Sequence, residues 1–232
     1  MPSLAAARQP EHLGGSWFAS PLAQQLMREE QRQTADLLTS CYGQIGLYAR
    51  AVENAPADLS GNRLQSVLHL HRESARLAGD LHCRDVELPL LRESVDLVYL
   101  LHALEGCAEP HAWLMEIERV LTPEGNLMLV VLNPYSLWRL RWAASGLHAP
   151  GAGNCRALLR DTGFEVMQQR GVGPMLPWLR EIQWTAGPQS EHRDLLSVWR
   201  AGYLIHARKR RRALTPVRPR AAVAFATEMR PG

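Results

Sequence analysis

The sequence predicts an α/β domain with a mostly parallel sheet, and one block of three neighbouring elements carries that prediction. Val95–Leu101 is apolar on both faces, as a central parallel strand should be. A helix over Pro110–Leu121, a turn at 122–125 and another apolar strand over 126–132 follow it. A strand, a helix and a second strand in this order form a crossover unit of a parallel sheet.

The segments before this block alternate between helix and strand. Leucines recur at helical spacing over 21–39 without an interrupting Gly or Pro, which predicts a helix. The run Gln44–Ala49 is short and apolar, and Ser66–His71 alternates in polarity, so each is a predicted strand. A turn-rich stretch over 53–63 separates the two strands, and a short helix or loop is expected over 72–77.

The segments after the block continue the same alternation. We expect a helix over 155–162 that stops at Gly163, followed by a strand over Phe164–Gln169. A further helix over 191–199 leads to a last strand over Tyr203–Ala207. Strands that alternate with helices in this way predict one α/β domain.

Composition and length exclude several classes of protein. The chain has 232 residues, of which 46% are hydrophobic and 21% charged, and this is the composition of a globular domain. The longest apolar run, over 127–132, is far shorter than the roughly 20 residues that a membrane span requires. No apolar signal segment follows Arg8, so the expected location is the cytoplasm.

Basic residues concentrate near the carboxyl terminus. The net charge is +3, but residues 208–220 contain Lys and Arg without any acid. The predicted organisation is therefore a leader over 1–15, a domain over 16–207 and a basic, Pro-containing tail over 208–232. Residues 135–200 are the expected variable, substrate-recognising region of the domain.

Cysteine and histidine spacing does not predict a metal site. The four cysteines lie far apart and form no C-x-x-C pair, which favours free thiols in a reducing compartment. His69 and His71 share one face of a predicted strand, but no third ligand is near them in the sequence. We therefore expect no bound metal.

Four segments carry a resemblance to a known family. They are Gly79-Asp80-Leu81, ESVDLV at 93–98, LHALE at 101–105 and EIERVLTPEGNL at 116–127. Together they resemble class I S-adenosylmethionine-dependent methyltransferases, specifically a bacterial subgroup of the methyltransferase type 11-like group. The resemblance implies a Rossmann-like methyltransferase fold, with a mostly parallel seven-stranded sheet flanked by helices. It also implies a methyltransferase enzyme that uses S-adenosylmethionine as its cofactor.

The glycine-rich turn that such an enzyme uses after its first strand is altered in this sequence. In one alignment the turn is 43–46, and the strand is 37–42. In the other, Gln44–Ala49 is the strand and 50–54 is the turn, which has no glycine. We prefer the second, because it places the end of the next strand about 20 residues downstream, as expected for this type of unit.

With this alignment, the resemblance implies a cofactor site at the ends of the strands. Its candidate residues are Ala49, Arg50, His71, Asp80, Leu81, Leu101 and His102. Asp80 is placed either against the adenine amino group or as a turn cap. His102 is a weak candidate for a general base, with a loop residue that caps a helix as the alternative. Asp96 is expected to be structural, holding neighbouring backbone amides.

Three functions remain open at this point. The preferred one is an S-adenosylmethionine-dependent methyltransferase with a small-molecule substrate. The first alternative is a protein that kept the fold, lost the cofactor and acts as a partner-binding scaffold. The second is an RNA-associated protein that binds nucleic acid through Arg208–Arg220. Tyr135, Trp138 and Trp142 are expected to pack, with a substrate lid as the alternative. The oligomeric state is open.

Overall fold

A seven-stranded sheet organises the computed structural model, which describes residues 15–59, 61–177 and 199–210. The strands are β1 Tyr42–Arg50, β2 Arg63–Glu73, β3 Arg76–Gly79, β4 Val95–Leu101, β5 Leu121–Leu132, β6 Phe164–Val172 and β7 Gly202–Lys209. The helices are α1 Gly15–Phe18, α2 Pro21–Leu38, α3 Pro110–Val120, α4 Arg139–Trp142 and α5 Ala152–Asp161. No helix of the described residues is long and apolar enough to cross a membrane.

The strand order is β3-β2-β1-β4-β5-β7-β6. Strands β2, β1, β4 and β5 run parallel to one another, β3 pairs antiparallel with β2, and β7 pairs antiparallel with both β5 and β6. The crossover from β4 through α3 to β5 is therefore the predicted unit, and the mostly parallel seven-stranded sheet is confirmed. Strand β2, which follows β1 in the chain, lies on one side of β1, and β4 lies on its other side. The strand order therefore reverses between β1 and β4, and these two strands flank the topological switch point.

Two buried layers cover the sheet. One contains Trp113, Ile117 and Leu159, from α3 and α5, packed against one face. The other contains Leu26 and Met27 of α2, packed against the opposite face. Ser20 caps the start of α2, because its hydroxyl accepts a hydrogen bond from the Ala23 amide at 3.3 Å, and Pro21 occupies the first turn.

The predicted short helix or loop over 72–77 is wrong. Strand β2 continues to Glu73, turns through Ser74 and returns as the antiparallel β3, with Glu73 opposite Arg76. Ser74 adopts a positive φ of 55°, which a tight hairpin turn requires and a helix would not allow. The sequence contains no Gly at this turn, so the usual signal for a hairpin is missing.

The predicted turn at 122–125 lies inside β5. Val95 pairs with Leu121, and Leu97 then pairs with Asn126, so the intervening residues bulge out of the ladder. Glu124, with a φ of 65°, takes the left-handed conformation that the turn signal indicated. The residues that predicted a turn do change the direction of the backbone, but they form a bulge near the start of β5.

The last strand extends beyond the predicted domain limit at 207. Strand β7 includes Arg208 and Lys209, and the Lys209 ammonium donates to the carbonyls of Glu118 and Leu121 at 2.7 and 2.8 Å. These two basic residues therefore belong to the sheet and not to a tail. Three predicted segments lie outside the described residues: the leader over 1–14, the part of the predicted helix over 191–198, and the tail over 211–232.

Asp96 is structural, as expected. Its Oδ2 accepts hydrogen bonds from the amides of Gln44 and Ile45 at 2.7 and 3.2 Å, and its Oδ1 accepts from the Thr122 hydroxyl at 3.3 Å. The amides belong to the start of β1, so this carboxylate fastens β4 to β1 at the edge opposite the switch point.

Candidate functional site

The structure brings the predicted site residues together at one edge of the sheet. Arg50, the last residue of β1, lies opposite His71 on β2 and Leu101 on β4. Ala49 lies opposite Leu100 on β4 in the same ladder. We call the carboxyl ends of β1, β2 and β4, with Arg50, His71 and the residues that follow Leu101, the carboxyl edge. Ligands of open α/β sheets bind outside such an edge at a switch point.

Strand β1 covers Gln44–Ala49, so the second of the two sequence alignments is correct. Residues 51–59 fold back around the Arg50 side chain, whose Nη1 donates to the Ala55 carbonyl at 2.8 Å. The Tyr48 hydroxyl holds the same segment by donating to the Pro56 carbonyl at 2.6 Å. A side chain at the strand end therefore organises this connection in place of a glycine-rich turn.

Arg50 retains an unused hydrogen-bond donor. The residue is 8% exposed, its guanidinium carbon lies 5.7 Å from the centre of the Tyr48 ring, and its Nε is buried without a partner. A buried N–H that lacks an acceptor is costly unless a ligand or water satisfies it. The end of β1 thus holds a buried cation whose chemistry suits an anionic group such as a carboxylate.

Asp80 closes the β2–β3 hairpin. Its Oδ2 accepts from the His69 amide at 2.7 Å, and its own amide donates to the His69 carbonyl at 3.0 Å. The carboxylate therefore bonds the backbone of the neighbouring strand β2 and does not cap a turn, while a contact with an adenine group stays a prediction. The neighbouring Leu81 is half-buried against the core on the α3 side.

His102 is completely enclosed by two carboxylates. Its Nδ1 lies 2.9 Å from Glu105 Oε1, and its Nε2 lies 2.6 Å from Glu30 Oε2 on α2. The Phe18 ring stacks on the imidazole with a centroid distance of 5.2 Å. We call Glu30, His102 and Glu105 the charge cluster. Its three side chains are fully buried at the tip of β4.

The charge cluster fixes the protonation state of the histidine. Burial alone would lower the pKa of His102, but the carboxylates of Glu30 and Glu105 outweigh it and raise the pKa to about 10. Burial also raises the pKa of the Glu30 carboxyl. An imidazolium with both N–H groups bonded to carboxylates has no lone pair that could take a proton. This geometry argues against the general-base prediction for His102.

Sequence reasoning missed Glu30, although a signal was present. The buried residues of α2 recur three and four positions apart, and Glu30 falls between Met27 and Thr34 on that face. A carboxylate within a buried stripe needs a partner. That criterion identifies Glu30 as a candidate, but only the fold shows that the partner is His102.

Sequence reasoning also missed Arg72, which contacts the loop 102–107 that follows β4. Its Nε donates to the Ala103 carbonyl at 3.0 Å, and its Nη1 forms a 2.7 Å ion pair with Asp85. The guanidinium carbon lies 4.9 Å from the centre of the Trp113 ring. No pattern in the sequence predicted this set of contacts, because its members come from distant segments.

The aromatic residues after β5 divide into two groups. Trp138 and Trp142 are buried in the core on the α2 side and pack as expected. Tyr135 is 77% exposed, so the packing prediction is wrong for this residue, and its amide donates to Asn133 Oδ1 at 3.0 Å. Within the described ranges, no group of three His, Cys, Asp or Glu side chains could hold a metal ion.

Comparison with known proteins identifies the fold and a match to one domain family over part of the chain. Residues 43–129 match the family described as "Methyltransferase domain". The structure superimposes on 1,6-didemethyltoxoflavin-N1-methyltransferase of Burkholderia thailandensis, solved with S-adenosylhomocysteine, with a TM-score of 0.54 and 15% identity. The superposition covers 91% of this chain and 93% of that one. The fold is that of class I S-adenosylmethionine-dependent methyltransferases, and residues 43–129 are similar in sequence to their methyltransferase domain.

Two curated proteins are similar to this chain in sequence. "Uncharacterized protein YafS" of Escherichia coli K12 is 28% identical over 171 residues, covering 70% of this chain and 69% of that protein. The malonyl-[acyl-carrier protein] O-methyltransferase of Gallionella capsiferriformans is 36% identical over 95 residues, covering 40% of this chain. The chain spans about a third of the length of that enzyme, since the match covers 33% of it.

Proposed function

We propose that this protein is a methyltransferase, which binds S-adenosylmethionine at the carboxyl edge and transfers its methyl group to a small-molecule acceptor. The observation that carries the proposal is the position of Arg50 beside the switch point, with its buried and unpartnered Nε. The cofactor contains a carboxylate, which is the type of acceptor that a buried guanidinium requires. Arg50 would thus bind the part of the cofactor that the family holds with a glycine-rich turn.

The other site residues have chemistry that suits the remaining parts of the cofactor. His71 is half-exposed beside Arg50, where its ring can hydrogen-bond a ribose hydroxyl. Asp80 is exposed at the end of β3, where its carboxylate can accept from an adenine amino group. Leu81 is partly exposed and can contribute apolar surface, whereas Ala49 and Leu101 are fully buried and can only support the site from below. These assignments give His71, Asp80 and Leu81 a role in contacting the cofactor.

The reaction needs little covalent chemistry from the protein. The bound cofactor supplies a methyl group that is already activated by the sulfonium. The chain contributes by positioning both reactants and excluding water. Phe18, at 2% exposure, covers the tip of β4, which separates this part of the edge from solvent.

The acceptor would be recognised by the region after β5. Tyr135 and Leu140 are both 77% exposed there, and they are large apolar side chains that no neighbour covers fully. Substrate identity in this fold depends on such variable segments, and the fold does not determine it. We therefore propose residues 135–200 as the source of acceptor contacts.

The test is calorimetric titration of S-adenosylhomocysteine into the full chain and two variants. We expect binding by the wild type and a loss of about tenfold or more in Arg50→Ala, because a charge-assisted hydrogen bond is lost. Arg63→Ala is the matched control, since Arg63 is exposed at the opposite end of the ladder and should leave affinity unchanged. Absence of binding at about millimolar ligand, equivalent to about −4 kcal/mol, would favour the scaffold alternative.

A further inference from the structure

We propose that Glu30 is a positioning residue of the methyl-transfer site, which docks α2 onto His102 and thereby fixes the loop 102–107 beside the cofactor. This inference rests on the proposed function, because it assigns a role to the wall of the same site. It concerns a residue that lies 72 positions away from its partner in the chain. Neither the methyltransferase motifs nor the comparisons point to it.

A continuous series of hydrogen bonds connects three elements through the charge cluster. Glu30 on α2 contacts His102 Nε2 at 2.6 Å, and His102 Nδ1 contacts Glu105 at 2.9 Å. Glu105 Oε1 also accepts from the Leu132 amide at 2.7 Å, at the end of β5. The charge cluster therefore connects α2 to the carboxyl ends of β4 and β5.

The loop 102–107 is held from its other side as well. Arg72, at the end of β2, donates to the Ala103 carbonyl at 3.0 Å, one residue after His102. His102 itself has a φ of 52°, a conformation that non-glycine residues rarely adopt and that surrounding contacts must maintain. Glu30 of α2 contacts His102, and Arg72 of β2 contacts the adjacent Ala103. A displacement of α2 is therefore expected to move the loop 102–107, which forms a wall of the proposed cofactor site.

The surroundings of Glu30 are shaped to receive its carboxylate. A Cβ added at Gly202 would lie 2.5 Å from Glu30 Oε1, and one added at Gly173 would lie 3.2 Å from it. Glycine at these positions leaves the space that the carboxylate occupies. Phe18 covers the imidazole, so the ion pair is dry, and removing one partner would leave an uncompensated buried charge.

The charges that face the pair come from several elements. Glu105 and Glu29 act on Glu30 in addition to His102, and the Tyr99 hydroxyl, bonded to Thr34, lies near the same carboxylate. His102 receives both of its favourable contacts from Glu30 and Glu105. Loss of the Glu30 charge should therefore lower the pKa of the imidazolium, whereas loss of Glu29 should not alter its hydrogen bonds.

The experiment combines two readouts on the full chain, with variants Glu30→Gln, Glu30→Asp and the matched control Glu29→Gln. Glu29 is also buried, but it bonds Gln33 at 2.8 Å and does not contact His102. Nitrogen-15 NMR of the histidines reports the protonation of His102. Titration of S-adenosylhomocysteine reports affinity at about pH 6 and about pH 8.5, on either side of the ordinary histidine pKa.

In the wild type and in Glu29→Gln, we expect a doubly protonated His102 and equal affinity at both pH values. In Glu30→Gln, His102 should lose a proton at the higher pH, and affinity there should fall about tenfold. Glu30→Asp keeps the charge and should recover part of the lost affinity, which a purely structural loss of packing would not allow.

The outcomes separate this inference from the proposed function. Unchanged affinity in Glu30→Gln at both pH values, with a wild type that binds, would overturn only the positioning role. A wild-type His102 that loses its proton between the two pH values would also overturn it, even if Glu30→Gln does not fold. Absence of binding by all four proteins would overturn the proposed function and this inference with it.

Discussion

Glu30 Oε2 lies 2.6 Å from His102 Nε2, and both side chains are fully buried. Two ionisable groups removed from water lose hydration energy, which their attraction repays only with close geometry and further hydrogen bonds. Glu105 supplies such a bond on the other ring nitrogen, at 2.9 Å. The packing of α2 therefore depends on the protonation of His102.

Stability should therefore fall as pH rises from about 6.5 to about 10. The pKa of His102 is raised to about 10 in the folded state, whereas an unfolded histidine has its ordinary value of about 6.5. In this window the folded protein keeps a proton that the unfolded chain has released. The stabilisation is complete below the unfolded pKa and is lost as pH rises through the folded pKa.

Urea unfolding at intervals across that window measures the effect. The variant His102→Gln removes the titrating group, so its stability should depend less on pH than that of the wild type. A wild-type free energy of unfolding that stays constant from neutral to alkaline pH would contradict the raised pKa.

Gly202→Ala should destabilise the fold by about 1–3 kcal/mol. The new Cβ would lie 2.5 Å from Glu30 Oε1 and 2.8 Å from the Val131 carbonyl, and a backbone atom cannot move aside cheaply. Gly153→Ala is the control, because nothing lies within 4 Å of its Cβ position and the residue is in α5. There we expect a gain of about 0.5–1 kcal/mol. Equal effects of the two substitutions, measured by chemical unfolding, would show that Gly202 provides no space for Glu30.

Asp96→Asn should cost about 1–3 kcal/mol, because an amide has one acceptor oxygen where the carboxylate has two. The amides of Gln44 and Ile45 then donate to a neutral oxygen, and the Thr122 hydroxyl, which donates to Oδ1, must turn to accept from the new amide group. Asp161→Asn, at an exposed position, should change stability by no more than about 0.5 kcal/mol. Thermal unfolding of both variants makes the comparison, and an Asp96→Asn protein as stable as the wild type would refute the structural role.

The sequence predicts the central part of the fold because the periodic signals there are strong and local. Strand β4 has the bounds that its apolar run predicted, and α3 starts at Pro110 as its fixed φ favours. Strand β3 was missed for the opposite reason. It is four residues long, and the turn before it uses Ser74 where a glycine is usual. Short elements without standard turn residues carry little information in a single sequence.

The sequence predicts where the candidate site lies in the sheet, but it does not predict the hydrogen bonds and ion pairs of the site residues. Strand order places Arg50, His71 and His102 at one edge, and this follows from the order of strands alone. The partners Glu30 and Arg72 come from other parts of the chain, and pairing at long range leaves no periodic signal. For His102, the pKa is decided by such a partner, and so the general-base prediction did not survive the structure.

The central claim is that the carboxyl edge binds the adenosyl cofactor despite its altered turn. Hydrogen–deuterium exchange of the full chain, with and without S-adenosylhomocysteine, tests it most directly. We expect added protection over residues 49–55, 69–81 and 101–107, and none over α5, which lies on the far side of the sheet from α2. Exchange that is identical with and without ligand, or protection confined to α5, would contradict the claim.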